Sequence, residues 1–97
     1  MDIPAFGLGG WIFGDSYWNQ PEHKDMVRTI HAALRNGVRH FDTASIYGNG
    51  RSEQLLGQQL RKIRNQVCIA TKLMPAPLPV FRRRLKLSFQ RLMTDYI

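Results

Sequence analysis

Short apolar runs alternate with amphipathic stretches along this chain at about 30 residues per unit, the period of repeated βαβ crossovers. The first run, Ala5 to Phe13, reads Ala-Phe-Gly-Leu-Gly-Gly-Trp-Ile-Phe, a strand leading into a loop. Met26, Val27, Ile30, Ala33 and Leu34 then recur at spacings of three and four. That stripe predicts a helix over Glu22 to Asn36, with Pro21 offering a first helical position and Asn36-Gly37 supplying the left-handed residue that stops it. Val38 to Thr43 reads as a second strand and Ala44 to Gly50 as a loop. A second helix is expected from Ser52 to Arg61, with Leu55, Leu56 and Leu60 on its apolar face. Val67 to Leu73 is a nearly continuous apolar run, as in a parallel strand covered on both faces. Pro75, Pro77 and Pro79 punctuate the next loop. A third helix, Pro79 to Met93, puts Phe81, Leu85, Phe89 and Leu92 on one face. Asp95-Tyr96-Ile97 reads as the approach to a fourth strand.

The class is therefore α/β, and the period admits two architectures, an open doubly wound sheet or part of a (β/α)8 barrel. At 97 residues the chain is one small domain at most, and 43% hydrophobic with 22% charged residues is ordinary for a globular protein. No apolar run approaches the roughly 20 residues a membrane span requires. Met1-Asp2-Ile3-Pro4 lacks the basic start of an export signal. A single cysteine, Cys68, excludes an internal disulfide framework and a multi-cysteine metal site, which suits the reducing cytoplasm and predicts no bound metal. Fourteen Lys and Arg against seven Asp and Glu give a net charge of +7, a field that attracts phosphate-bearing partners of any kind.

Strand alternation narrows the chemistry. If Asp42 points into a barrel, so do His40 and Val38, while Phe41 faces the helices. The same rule sends Lys72, Ala70 and Cys68 inward and Thr71, Ile69 and Val67 outward. Asp42 and Lys72 then lie near the carboxyl ends of neighbouring strands, where an inward carboxylate and an inward amine relieve each other's desolvation. Tyr47 sits on the loop after the second strand, where it can fold back over the mouth. An ammonium beside a phenol favours the phenolate and makes the phenol a better proton donor. Gly7 and Gly9 share one side of the first strand and leave space there. With Gly10 they form no dinucleotide fingerprint, because Ile12 stands where the third glycine of G-x-G-x-x-G would fall. His40 reads as a satisfied interior histidine and Cys68 as a small core residue. Tyr17 and Trp18, in a loop, read as packing or pocket residues.

In order and at compatible spacing, several blocks resemble the aldo-keto reductases. They are Gly7-Leu8-Gly9-Gly10-Trp11, Gly37 to Ala44 with Tyr47-Gly48, Ser52-Glu53 with Leu56-Gly57, Ile69-Ala70-Thr71-Lys72, and Leu92 with Thr94 to Ile97. The resemblance implies a (β/α)8 (TIM) barrel oxidoreductase that uses NADP(H), or less often NAD(H), to reduce aldehydes or ketones. It implies Tyr47 as general acid, Lys72 as the amine that lowers its pKa, and Asp42 as the carboxylate that holds Lys72. Gly10, Trp11 and Asp42 would lie against the cofactor, and Trp11 would wall the pocket of a small carbonyl substrate. The family's catalytic His lies on the fourth strand, beyond Ile97, and the loops that bind the adenosine phosphate end lie near the last strands. Residues 1–97 are thus expected to be a partial domain, an N-terminal fragment of about three βα units truncated before the fourth strand. Such a fragment is expected to be inactive alone and to self-associate through its strand edges.

A second reading comes from the charge. Arg82, Arg83, Arg84 and Lys86 make the third helix basic and amphipathic, the pattern of a nucleic-acid or anionic-surface binder. In a barrel that helix lies outside and its charges form a solvated face.

Overall fold

The computed structural model describes residues 3–14 and 22–97. Pro21, Tyr17 and Trp18 lie outside the described residues. Strand β1 is Gly7–Gly9, helix α1 His23–Arg35, strand β2 His40–Asp42, helix α2 Arg51–Leu60, strand β3 Cys68–Ala70 and helix α3 Leu78–Leu92. The strands form one parallel sheet in the order β1-β2-β3. Gly7 registers with His40, and His40 with Cys68. Each crossover therefore places sequential strands side by side, as short right-handed connections favour.

Each helix lies within a residue of the expected span, because its apolar stripe needs the sheet beneath it. In α1 the residues that reach the core are Met26 and Ile30, with Val27 and Leu34 packed on its edge. The helix stops where expected, and Gly37 takes φ +85°, a conformation a β-carbon would penalise. In α2 the stripe is Leu55, Leu56 and Leu60, all buried. In α3 Leu92 is buried, and Phe81, Leu85 and Phe89 are half-buried. Ser88 is buried on that same stripe. Phe41, Val67 and Ile69 supply the sheet's contribution to the core.

The strands are shorter than the apolar runs that announce them. Beyond β2 and β3 the pairing continues as two isolated bonds, in which the Thr43 N–H donates to the Ala70 carbonyl (2.8 Å) and the Ser45 N–H to the Lys72 carbonyl (3.0 Å). Past Gly9, the expected loop is a single tight turn, Trp11–Phe13, that tucks Phe13 into the core.

Two placements differ from expectation. Val38 precedes β2 and packs against the helix-side core, so strand alternation does not reach it. Cys68 lies on the inward face that alternation gives it, beside His40, but is only half-buried there and stands outside the helix-side core, where a small core residue was expected.

Candidate functional site

Asp42 ends β2, and its backbone partner across the sheet is Ala70. Lys72 stands two residues past Ala70, on the same face by alternation. Its four-carbon stem leans back so that Nζ lies 2.8 Å from each carboxylate oxygen of Asp42. The pair is open to solvent, with side-chain exposures of 53% for Lys72 and 44% for Asp42. Burial of the ammonium is slight and acts to lower the Lys72 pKa. The hydrogen bond and charge of Asp42, followed by the charge of Tyr47, outweigh it and raise the pKa above its ordinary 10.5.

Tyr47 reaches the pair from the loop after β2. That loop is fastened to the strand carrying Lys72 by the Ser45 to Lys72 backbone bond, then turns sharply over Tyr47–Gly50, with Gly48 and Asn49 at positive φ. The turn brings the Tyr47 ring under the ammonium, with Lys72 Nζ 5.4 Å from its centroid. Asp42 and Tyr47, from β2 and the loop that follows it, and Lys72, from just past β3, form one cluster at the carboxyl end of the sheet.

The β1 loop closes one side of the cluster. Gly10 is buried, its N–H donating to the Asp42 carbonyl (2.7 Å) and its own carbonyl accepting from Ser52 Oγ (2.8 Å). Ser52 Oγ also lies 2.7 Å from Thr43 Oγ1. This buried polar chain ties the β1 loop, the end of β2 and the start of α2 together. Trp11, next along, is 55% exposed. Above β1, a β-carbon added at Gly9 would meet nothing within 4 Å, whereas one at Gly7 would stand 3.0 Å from His40 Nδ1. His40 therefore lies half-buried beneath Gly7. The backbones of Gly14 and Gly48 touch so closely that a β-carbon on either would overlap the other's main chain. The loops bearing Trp11 and Tyr47 are thereby locked together.

Sequence reasoning missed three elements of this region. Glu53 is completely buried in α2, accepting from Thr71 Oγ1 (2.7 Å) and pairing with Arg91 of α3 (3.3 Å). The signal was available, since Glu53 sits three and seven residues before Leu56 and Leu60, on the core face. Arg64 gathers the chain's last residues, donating to Thr94 Oγ1, the Val67 carbonyl and the Tyr96 carbonyl, with its guanidinium 3.9 Å from the Tyr96 ring centroid. A cleft of 250 Å³ lies behind the Tyr47 loop, between Ser45, Ile46 and Asn49 on one side and Arg84, Leu87 and Arg91 on the other. Asp42 and Lys72 do not line it.

Arg82, Arg83, Arg84 and Lys86 are all exposed on α3. Among the described residues no three His, Cys, Asp or Glu side chains gather to hold a metal ion, and no helix is long and apolar enough to cross a membrane.

Parallel βαβ units with an Asp, Tyr and Lys clustered at the strands' carboxyl ends define an α/β protein with its candidate site where such folds place theirs. The sequence pattern of the aldo/keto reductase family matches residues 5–97, and the chain belongs to that family. Aldo-keto reductase YhdN of Bacillus subtilis (strain 168) is 37% identical over 109 aligned residues, which take in 100% of this chain and 33% of that protein. Methylglyoxal reductase YeaE of Escherichia coli (strain K12) is 29% identical over 99 residues. The crystal structure of an aldo/keto reductase from Klebsiella pneumoniae in complex with NADP and acetate superposes with a TM-score of 0.84 at 32% identity, covering 98% of this chain and 33% of that one. The three strands and their helices are thus part of a (β/α)8 barrel, and the chain spans about a third of the length of the relatives it matches.

Proposed function

We propose that this chain carries the proton-donating half of an NADP(H)-dependent carbonyl reductase, with Tyr47 as general acid, Lys72 as its electrostatic partner and Asp42 as the group that holds Lys72. One observation carries the reading: Lys72 Nζ is shared equally by the two Asp42 oxygens while it stands over the Tyr47 ring. The complex of the Klebsiella relative with NADP and the name of the Escherichia coli methylglyoxal reductase support the cofactor and the carbonyl class.

The residues fit such a cofactor. The open face over Gly9, bordered by the exposed Trp11 and by Asp42, would admit a flat ring. Gly10 would contribute space alone, because its N–H and carbonyl are already bonded within the chain. When bound, the nicotinamide supplies hydride to a carbonyl carbon. Tyr47 hydrogen-bonds the carbonyl oxygen, polarising it, and gives up its proton as the alkoxide forms. Lys72 stabilises the negative charge left on the phenol oxygen, and Asp42 fixes the ammonium where that charge appears. Trp11 walls the substrate side and excludes water. In this reading residues 1–97 furnish three of the barrel's eight βα units. A fourth-strand His, implied by the family resemblance, would come from beyond them. The single cysteine suits a cytoplasmic setting.

The test is a chimera in which residues 5–97 replace the matching third of YhdN. With NADPH and benzaldehyde the chimera is expected to turn over, and Tyr47→Phe is expected to lower kcat by about 100-fold or more, since a positioned general acid contributes roughly 100- to 10,000-fold. A Tyr47→Phe chimera as fast as its parent overturns the assignment.

A further inference from the structure

The side chains of Tyr47 and Lys72 act together only if the turn bearing one and the strand bearing the other keep a fixed spacing. Those two segments share a single buried charge. Glu53 is fully buried and receives a hydrogen bond from Thr71 Oγ1 at 2.7 Å. Thr71 is the residue immediately before Lys72, and alternation means that a Thr71 held toward the helices holds Lys72 toward the site. The second Glu53 oxygen takes Arg91 Nη1 at 3.3 Å. The guanidinium of Arg91 in turn packs on Gly50, so closely that a β-carbon there would overlap it. Gly50 ends the turn that begins at Tyr47.

We infer that the Glu53–Arg91 pair is a positioning device for the site, tethering the Lys72 strand through Thr71 and buttressing the Tyr47 turn through Gly50. The inference rests on the roles proposed above for Tyr47 and Lys72. A carboxylate with no exposure would be costly as mere helix packing, and an apolar pair of the same volume would hold α2 to α3 as well or better. What an apolar pair would not do is grip Thr71 directionally. Glu53 and Arg91 touch none of the reacting groups themselves.

Thr71→Val in the YhdN chimera removes the hydroxyl donor and keeps the side chain's shape, and Thr71→Ser keeps the donor. The valine variant is expected to lose about 10- to 100-fold in kcat, the scale of a misplacement near 1 Å, with KM for benzaldehyde and for NADPH within twofold. The serine variant is expected to restore the rate. A readout independent of turnover is the titration of Lys72, followed by NMR on lysine labelled at Cε. In Thr71→Val its midpoint is expected to fall toward 10.5 as the ammonium drifts from its partners. Should the valine variant fail to fold, Thr71→Ala removes the same donor with less bulk. A variant that melts earlier but keeps kcat and the Lys72 titration shows that Glu53 and Arg91 only hold helices together, and the inference falls. If Tyr47→Phe is silent, the catalytic reading fails by itself, and the Lys72 titration still decides whether the tether exists.

Discussion

Two ion pairs of opposite character stand within one layer of each other. Asp42–Lys72 is half-exposed, and Glu53–Arg91 has one partner wholly buried and the other 23% exposed. Exposed pairs contribute about 0.2–1 kcal/mol, whereas removing one partner of a buried pair costs about 3–5 kcal/mol because a charge is left unpaired. In the chimera, Lys72→Met is therefore expected to cost under about 1 kcal/mol of stability while abolishing turnover. Arg91→Met, its partly exposed guanidinium discounted, is expected to cost about 3 kcal/mol in chemical denaturation. The pH dependence has a definite sign. Because the folded pKa of Lys72 lies above 10.5, its contribution is complete below 10.5 and disappears as pH rises through the folded value. Parent and Lys72→Met unfolding curves should keep a constant gap from neutral pH to about 10 and converge above it. A gap that grows with pH would contradict the pairing.

At the scale of elements, the helices were legible in sequence and the strands only in outline. Stripes such as Met26, Ile30 and Leu34 fix a helix by local spacing, and Asn36-Gly37 marks its end. A strand's length instead depends on where a neighbour stops pairing, which no local pattern records, so the six- and seven-residue runs at Val38 and Val67 became three-residue strands. The Asp42–Lys72 pair was legible because alternation and the βαβ period are both local rules. The Glu53–Arg91 and Arg64–Tyr96 contacts join residues 38 and 32 apart and follow from tertiary packing. Glu53 and Ser88 interrupt apolar stripes, and an interrupted stripe was the one available sign of a buried polar group. Packing between α2 and α3 is close enough to be tested directly. A β-carbon on Gly57 would overlap the Arg91 carbonyl and the Leu92 backbone, main-chain atoms that cannot swing aside. Gly57→Ala should lower stability by about 1–3 kcal/mol despite alanine's better helix propensity, read as an earlier thermal midpoint. A stabilised variant would mean that the helices separate easily.

The whole molecule presents a small parallel sheet whose outer strands, β1 and β3, each have one side unpaired among the described residues. Parallel sheets are ordinarily covered on both faces, and open edges recruit further strands. A polypeptide of these 97 residues alone is expected to form oligomers on light scattering and to show no benzaldehyde turnover above background with NADPH. A monodisperse, active monomer would refute this.

The backbone contact between Gly14 and Gly48 also bears on how a site of this kind can evolve. Neither position admits a side chain, so these two loops cannot be retuned independently by substitution at the point where they meet. Diversity must instead enter at the outward residues beside that junction, Trp11, Ile12 and Ile46, whose side chains already face solvent. Substitution there would repaint the outer surface of the two loops while the frame that carries Asp42, Tyr47 and Lys72 stays as it is.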